Sequence, residues 1–256
     1  MLDKALVLQL EHLAFRAMPA LKTEDYDGWL LRFADGYTGR ANSVNPLEGG
    51  DMDLHTKIDY CEARYDQEGM ATLFRLTDIY QPVELEEELI KRGYQRRIDA
   101  PVGIYTAPVT VSPITINTTI KTFSQPEMNW LQPYTMLAGT PSRAVPTLQN
   151  MLNRIEDETC FAIIQQGEET LAAGMGVYKD GWVGVFNIVV GSRHRRQGLG
   201  RALVQSLLNW GAQGGAENAY LQVVLSNEPA LALYSQLGFS PLYRYWYRLK
   251  IHSDQL

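Results

Sequence analysis

The sequence predicts an α/β fold, and three observations predict it. In the second half, β-type runs and helical periodicities follow in the order strand, strand, strand, helix, strand, helix, strand. Turn signals built on Gly, Asp and Pro separate these runs. The first half repeats part of the order: strand, Pro-started helix, Gly-aromatic pair and strand occur at 72–94 and again at 220–239. The chain has 256 residues, 45% hydrophobic and 20% charged, which suits a soluble protein of one large or two small domains.

The elements follow in order. Leu2, Leu6, Leu10, Leu13 and Ala17 recur at helical spacing before Pro19, predicting an amphipathic helix over 2–17. "GWLLRFADGYTGRANSVNPL" (28–47) reads as two short strands around a turn at Asp35-Gly36. A helix over 55–69 ending at Gly69, a strand over 71–78, a helix from Pro82 to Arg92 and a strand over 94–106 come next. Residues 107–133 are rich in Thr, Ser and Pro and poor in charge, and read as extended structure or a linker between halves. Residues 142–156 read as helix, and 159–166, 170–178 and 181–190 as strands with turns at Gly167 and Asp180-Gly181. A helix carrying Leu199, Ala202, Leu203, Leu207 and Trp210 should stop at Gly211, Gly214 and Gly215. A strand over 219–225, a short helix over 228–237 and an aromatic-rich closing strand or hairpin over 239–250 complete the pattern.

Several classes are disfavoured. A formal net charge of −6 argues against a nucleic-acid partner, which usually meets a basic domain or stripe. Cys61 and Cys160 lack metal-type spacing and read as buried thiols in a reducing compartment. His12, His55 and His252 show no metal or triad spacing. No signal peptide or membrane-length apolar run is evident, so a cytoplasmic protein without membrane or metal partners is expected.

One stretch stands against the acidic background. "SRHRRQGLGRALV" (192–204) holds Arg193, Arg195, Arg196 and Arg201, and no acid occurs between Asp180 and Glu217. A strand entering a Gly-containing turn and then a helix presents consecutive backbone N–H groups, which bind phosphate-like anions. Gly198 and Gly200 would permit close approach or the turn dihedrals, and Arg195, Arg196 and Arg201 would add charge and paired donors. A Walker loop is excluded because no Lys-Ser or Lys-Thr follows either glycine. A dinucleotide fingerprint is excluded because Leu203 stands where its third glycine belongs. R-x-x-G-x-G, Arg195 to Gly200, remains.

With "NIVV" before it and "SNEPALALYSQLGF" (226–239) after it, this motif resembles the GNAT superfamily of acyl-CoA-dependent N-acetyltransferases over roughly 133–250. The resemblance implies a mixed central sheet flanked by helices, here as a tandem of two GNAT-like lobes. A degenerate lobe would span 1–125 and a catalytic lobe 126–256. It also implies that acetyl-CoA is held by Ile188, Val189, Val190, Arg195, Arg196, Gln197, Gly198, Leu199, Gly200, Arg201, Asn227, Ala230 and Tyr234. The implied reaction is direct attack of a primary amine, of a small molecule or peptide, on the thioester. The amide of Val189 would hold the oxyanion and Tyr234 would protonate the leaving thiolate. Asn227 before Glu228-Pro229 equally fits an N-cap, and Tyr234 lies at helical spacing from Ala230, Leu231 and Leu237, as a core residue would. No Glu occurs in "VGVFNIVV", which leaves base catalysis to ordered water or to selection of the neutral amine.

In the first half "LEGGDMDLH" stands where an anion loop would lie. Glu48, Asp51 and Asp53 would repel a pyrophosphate there, so one CoA per chain is expected. Arg40, Asn42 and Asn187 are candidate substrate contacts, with a structural role for Asn42 the simpler alternative. The acidic run Glu84 to Glu88 fits a cationic acceptor or a solvated helix face. The rival functions are a non-catalytic acyl-CoA binding or sensing module, an ATP-binding protein, and transfer of a longer acyl chain.

Overall fold

The computed structural model describes residues 2–97 and 101–250; His252 and part of the expected 94–106 strand lie outside them. The contacts divide the chain into two units. Of the described residues, the first comprises those up to Gly103, Val224–Ser226 and 243–250; the second comprises Ile104–Val223 and Asn227–Leu242. By contacts the break falls at 103/104, and residues 243–250 join the first unit.

The first unit contains α1 (Lys4–Ala17), β1 (Lys22–Tyr26), β2 (Trp29–Phe33), β3 (Ser43–Pro46), α2 (Leu54–Gln67), β4 (Thr72–Thr77), α3 (Leu85–Lys91) and β5 (Gln95–Arg96). Its strand order is β1-β2-β3-β4-β12, with β12 (Ser240–Lys250) entering from the chain's end and β5 pairing with it. β1/β2, β2/β3 and β4/β12 are antiparallel, and β3/β4 is parallel at Val44↔Phe74. β1 escaped the sequence reading because "KTEDY" is a mostly exposed edge strand without apolar alternation.

Charges are buried beneath this sheet's helices. Glu11 of α1, 0% exposed, meets Arg75 of β4, 2% exposed, through two parallel N–H···O contacts, Nη2 to Oε1 at 3.0 Å and Nη1 to Oε2. The Tyr243 hydroxyl donates to Glu11 Oε1 at 2.6 Å, and the Arg75 guanidinium lies 3.6 Å over the Tyr245 ring. Arg32 is also buried and donates to the carbonyls of Phe15 at 3.2 Å and Met18 at 2.5 Å. The acidic run on α3 is engaged as well. Glu86 accepts from Trp246 Nε1 at 2.7 Å and pairs with Arg248, Glu87 pairs with Lys91, and Glu88 pairs with Arg92 and His55. It braces the helix.

The second unit contains β6 (Val102–Pro108), β7 (Thr119–Phe123), α4 (Met128–Ala138), α5 (Val145–Leu152), β8 (Glu158–Gln166), β9 (Glu169–Lys179), β10 (Trp182–Val190), α6 (Leu199–Gln213), β11 (Asn218–Val224) and α7 (Glu228–Gln236). Its order is β6-β11-β10-β9-β8-β7, antiparallel from β10 through β7 and parallel at β10/β11. The stretch 107–133 is thus more than a linker, since it holds β7 and the start of α4. "TIKTF" carries one charge, Lys121, and its β-branched residues suit a strand; it pairs with β8 from Thr119↔Gln165 to Phe123↔Phe161.

α6 packs its Ala202, Leu203 and Leu207 on the Ala162, Ala172, Val183 and Val185 face. Gly211 does not end this helix. It lies inside it because a Cβ there would come 2.7 Å from Val183 Cβ, so the glycine sets the helix-to-sheet distance. Trp130 of α4 donates to the carbonyls of Ala162 at 3.2 Å and Gly174 at 3.0 Å. Each unit is therefore a mixed sheet flanked by helices. Among the described residues no helix is long and apolar enough to cross a membrane, and no group of three or more His, Cys, Asp or Glu could hold a metal.

Glu11→Gln leaves the Arg75 guanidinium buried without its counter-charge. The expected loss is about 3–5 kcal/mol of stability, read from the denaturant midpoint.

Candidate functional site

β10 sets the geometry. It follows a two-residue turn in which Asp180 and Gly181 both have positive φ, 49° and 77°. It then pairs in parallel with β11 from Trp182↔Asn218 to Val185↔Leu221. There that pairing ends, although β10 runs on to Val190 and β11 to Val224. On its other edge β10 stays with β9, but the register slips between Phe186 and Val189. Asn187 lies in the slip at φ 55°, a left-handed conformation that Asn tolerates and β-branched residues do not. Its Nδ2 donates to Met175 Sδ at 3.4 Å. This is a β-bulge, which releases an extra residue from the ladder and turns the strand.

The amides beyond the bulge divide between two edges. Gly191 N–H donates to Leu171 O at 2.8 Å. Val189, two residues earlier and opposite Ala173, directs its own N–H at β9 by the same alternation. Val190 faces the edge that β11 has left, and its carbonyl accepts there from Arg195 Nε at 3.4 Å. Val189, expected as the oxyanion donor, is thus placed with its amide toward β9 rather than toward the open edge. Its amide is engaged within the sheet, whereas Ile188 lies in the bulge, outside the paired register.

A 3-10 turn, Ser192–His194, carries the chain into the arginine loop. Arg196 at φ 63° and Gly198 at φ 81° turn it toward α6. Gly198 is the N-cap of α6 and supplies no side-chain acceptor, so the first-turn amides of Leu199, Gly200 and Arg201 are uncapped. At Gly200 a Cβ would come 3.3 Å from Leu233 Cδ2 and 3.6 Å from Val190 Cγ2, so α6, α7 and β10 converge there. Arg193, Arg195, Arg196 and Arg201 are exposed, and none is ion-paired among the described residues. The loop's one ion pair among those residues is His194 Nε2 with Glu169 Oε1 at 2.9 Å. Gln197 is exposed, and its Nε2 donates to Arg193 O at 3.5 Å. Nothing in the sequence pattern pointed to Glu169, a hairpin residue far from the motif.

α7 brings in the remaining candidates. Asn227 is exposed and is the N-cap, its Oδ1 accepting from Ala230 N–H at 3.3 Å. Tyr234, Leu199, Ile188, Val190 and Ala230 belong to one apolar cluster. The Tyr234 ring is 7% exposed and stands edge-on to Phe239, with centroids 6.0 Å apart. Its hydroxyl has no hydrogen-bond partner among the described residues, and burial pushes its pKa up to about 12. Arg40 and Asn42 belong to the first unit. Asn42 accepts from the amides of Ala34 and Gly36 and donates to the carbonyls of Ala34 and Thr38, so its hydrogen-bonding capacity serves that loop. Arg40 is half-buried, and its carbonyl accepts from Arg32.

Asn187→Val should destabilise the protein by about 1–2 kcal/mol, the strain of a β-branched residue at this dihedral. Asn187→Gly should lose less, and comparison of the two denaturant midpoints checks it.

Relatives carry the same architecture. YobR of Bacillus subtilis, an N-acetyltransferase by name, is 28% identical over 249 residues, 95% of this chain and 98% of the relative. A GCN5-related N-acetyltransferase structure from Kribbella flavida superposes with a TM-score of 0.71 at 14% identity, covering 96% of each chain. A tandem GNAT protein from the clavulanic acid biosynthesis pathway gives 0.64 at 12% identity, over 94% of this chain and 87% of that one. The family profile described as "Probable histone acetyltransferase Rv0428c C-terminal" matches residues 5–248. With nearly its whole length inside that profile, and GNAT folds matching both of its halves, the chain belongs to this family of GNAT-type N-acetyltransferases.

Proposed function

We propose that this acetyltransferase uses acetyl-CoA, held by the second unit, to acylate a primary amine on a small molecule or peptide. The observation that supports it most is the unbroken run of bulged strand, unpaired arginines and uncapped helix start between Trp182 and Arg201. A diphosphate suits this run. The amides of Leu199, Gly200 and Arg201 offer donors at the positive end of a helix, and Arg195, Arg196 and Arg201 add charge with no carboxylate to compete. The amide and carbonyl of Val190 suit the strand-like pairing of a pantetheine arm along the edge that β11 leaves open. The thioester supplies an activated acyl group and a thiolate leaving group.

The chain's own residues then act on that group. The Ile188 amide at the bulge donates to the developing oxyanion. Tyr234 donates to the departing sulfur. With its pKa near 12 it is fully protonated at neutral pH, but it gives up its proton to a thiolate only uphill. Its main contribution is therefore a hydrogen bond that tightens as the carbon–sulfur bond breaks. Neither β10 nor β11 carries a carboxylate, so the amine loses its proton to water. The matched family's description as a probable histone acetyltransferase supports a protein-borne amine as one member of this class.

Gly198→Glu should abolish acetyl-CoA binding in calorimetric titration, through strain at φ 81° and like charge; retained affinity overturns the loop assignment. Tyr234→Phe should lower kcat by about 10²-fold, the loss of one hydrogen-bond donor to developing charge, with acetyl-CoA affinity unchanged. The wild-type kcat should show no basic limb from Tyr234 below about pH 12, because the pKa is raised and the donor form persists up to it. Tight acetyl-CoA binding without thiol release from any amine would instead favour the sensing module.

A further inference from the structure

The two units repeat one local plan. In the second, β9 is antiparallel to β10, β10 is parallel to β11, and α6 lies between them in sequence. In the first, β2, β3, α2 and β4 follow the same order and the same strand senses. The loop before α2 thus corresponds to the arginine loop before α6. The hairpin turns that precede β2 and β9 correspond too, and both send a carboxylate toward their loop. In the second unit Glu169 engages the His194 ring. In the first, the carboxylate belongs to Asp27, and it engages the loop's backbone.

Asp27 Oδ1 accepts from Asp51 N–H at 3.0 Å and Oδ2 from Met52 N–H at 3.1 Å. Lys57 Nζ lies 2.9 Å from Oδ2 and donates to the Asp27 carbonyl at 2.5 Å. The Lys57 side chain is 2% exposed, with its ammonium 4.3 Å over the Trp29 ring. The loop is built to admit this carboxylate. A Cβ on Gly50 would come 2.0 Å from Asp27 Oδ2, and one on Gly28, at φ 82°, would come 2.0 Å from Gly49 O. The acidic residues of "EGGDMD" act differently from the simple repulsion expected. Asp53 caps α2 through Thr56 N–H at 3.0 Å, and Asp51 contributes its amide.

We infer that the first unit carries a built-in anion: the Asp27 carboxylate, held by two loop amides and a buried lysine, occupies the place that a phosphate takes in loops of this kind. The lobe is closed to a CoA diphosphate because its anion position is filled from within. Removing the carboxylate while keeping the turn converts the position into a site for a small inorganic anion. The inference rests on the reading of the second unit's corresponding loop as an anion loop, while its contacts and its test lie in the first unit.

Asp27→Gly is the informative variant, since glycine accepts the φ of 47° at this turn. Thermal melts of wild type, Asp27→Gly and Asp27→Gly/Lys57→Met are recorded with rising orthophosphate at constant ionic strength. Asp27→Gly should melt below wild type and then gain a saturable rise of about 3 °C or more beyond the wild-type response. The double variant, without the buried cation, should respond only as wild type does. An Asp27→Gly response equal to that of wild type, or a double variant that responds like the single one, overturns the inference. If Asp27→Gly does not fold in plain buffer, its refolding yield becomes the measurement. Recovery by orthophosphate supports the built-in anion, and no recovery overturns it. Failure of the acetyl-CoA assignment would show separately, as wild-type protein that does not bind acetyl-CoA.

Discussion

The departure of β10 from its neighbour is the constraint on which the proposed chemistry depends. A strand inside a sheet has both edges saturated and can offer its backbone to nothing else. β10 breaks this condition on one side only. Its parallel pairing with β11 ends at Val185↔Leu221, while its antiparallel pairing with β9 continues past the bulge to Val190↔Ala172. The strand is thus held firmly by one edge and exposed on the other. The left-handed backbone at Asn187 decides which amides fall on which side.

The arginine loop carries an electrostatic tension that an anion would relieve. Cations near the start of a helix oppose its dipole, since that end already bears partial positive charge. Four arginines surround the first turn of α6 without a carboxylate partner among the described residues, in a chain whose net charge is negative. Exposure and salt screening make the arrangement tolerable. The first unit resolves the same tension internally, with Asp27 seated on the loop amides and paired to Lys57. One backbone plan therefore has two electrostatic solutions, one closed and one open.

Much of this was legible in the sequence, for identifiable reasons. "RRQGLG" announced its loop because glycines at two-residue spacing before an apolar helical run have few other uses, and the strands of the second unit alternate too regularly to miss. The bulge was less visible. Asn187 is an ordinary residue until its dihedral is known, and the direction of the Val189 amide follows from a one-residue slip that no composition records. Asp27 and Glu169 were invisible because their partners lie far along the chain. Gly211 misled because a glycine near a helix end usually stops it, and here it serves the contact with Val183. The low-charge run 107–133 left extended structure and linker both open, because polar β-branched residues resemble linker composition when the strand lies at an edge.

The place of β12 bears on how the molecule is made. The first unit includes residues 243–250, where Tyr243 reaches Glu11 and β12 completes the pairing of β4. A nascent chain leaves the ribosome from its N-terminus at about 5–20 residues per second. By the time Gly103 has emerged, the first unit has α1 through β5 and lacks Val224–Ser226 and the strand that borders β4. Among the described elements that strand comes last in the chain, roughly 140 residues later, so the edge of β4 stays open for about 7–28 s of synthesis. The second unit has nearly all of its own strands before then. The order of maturation is thereby reversed with respect to the order of translation: the half made first is the half finished last.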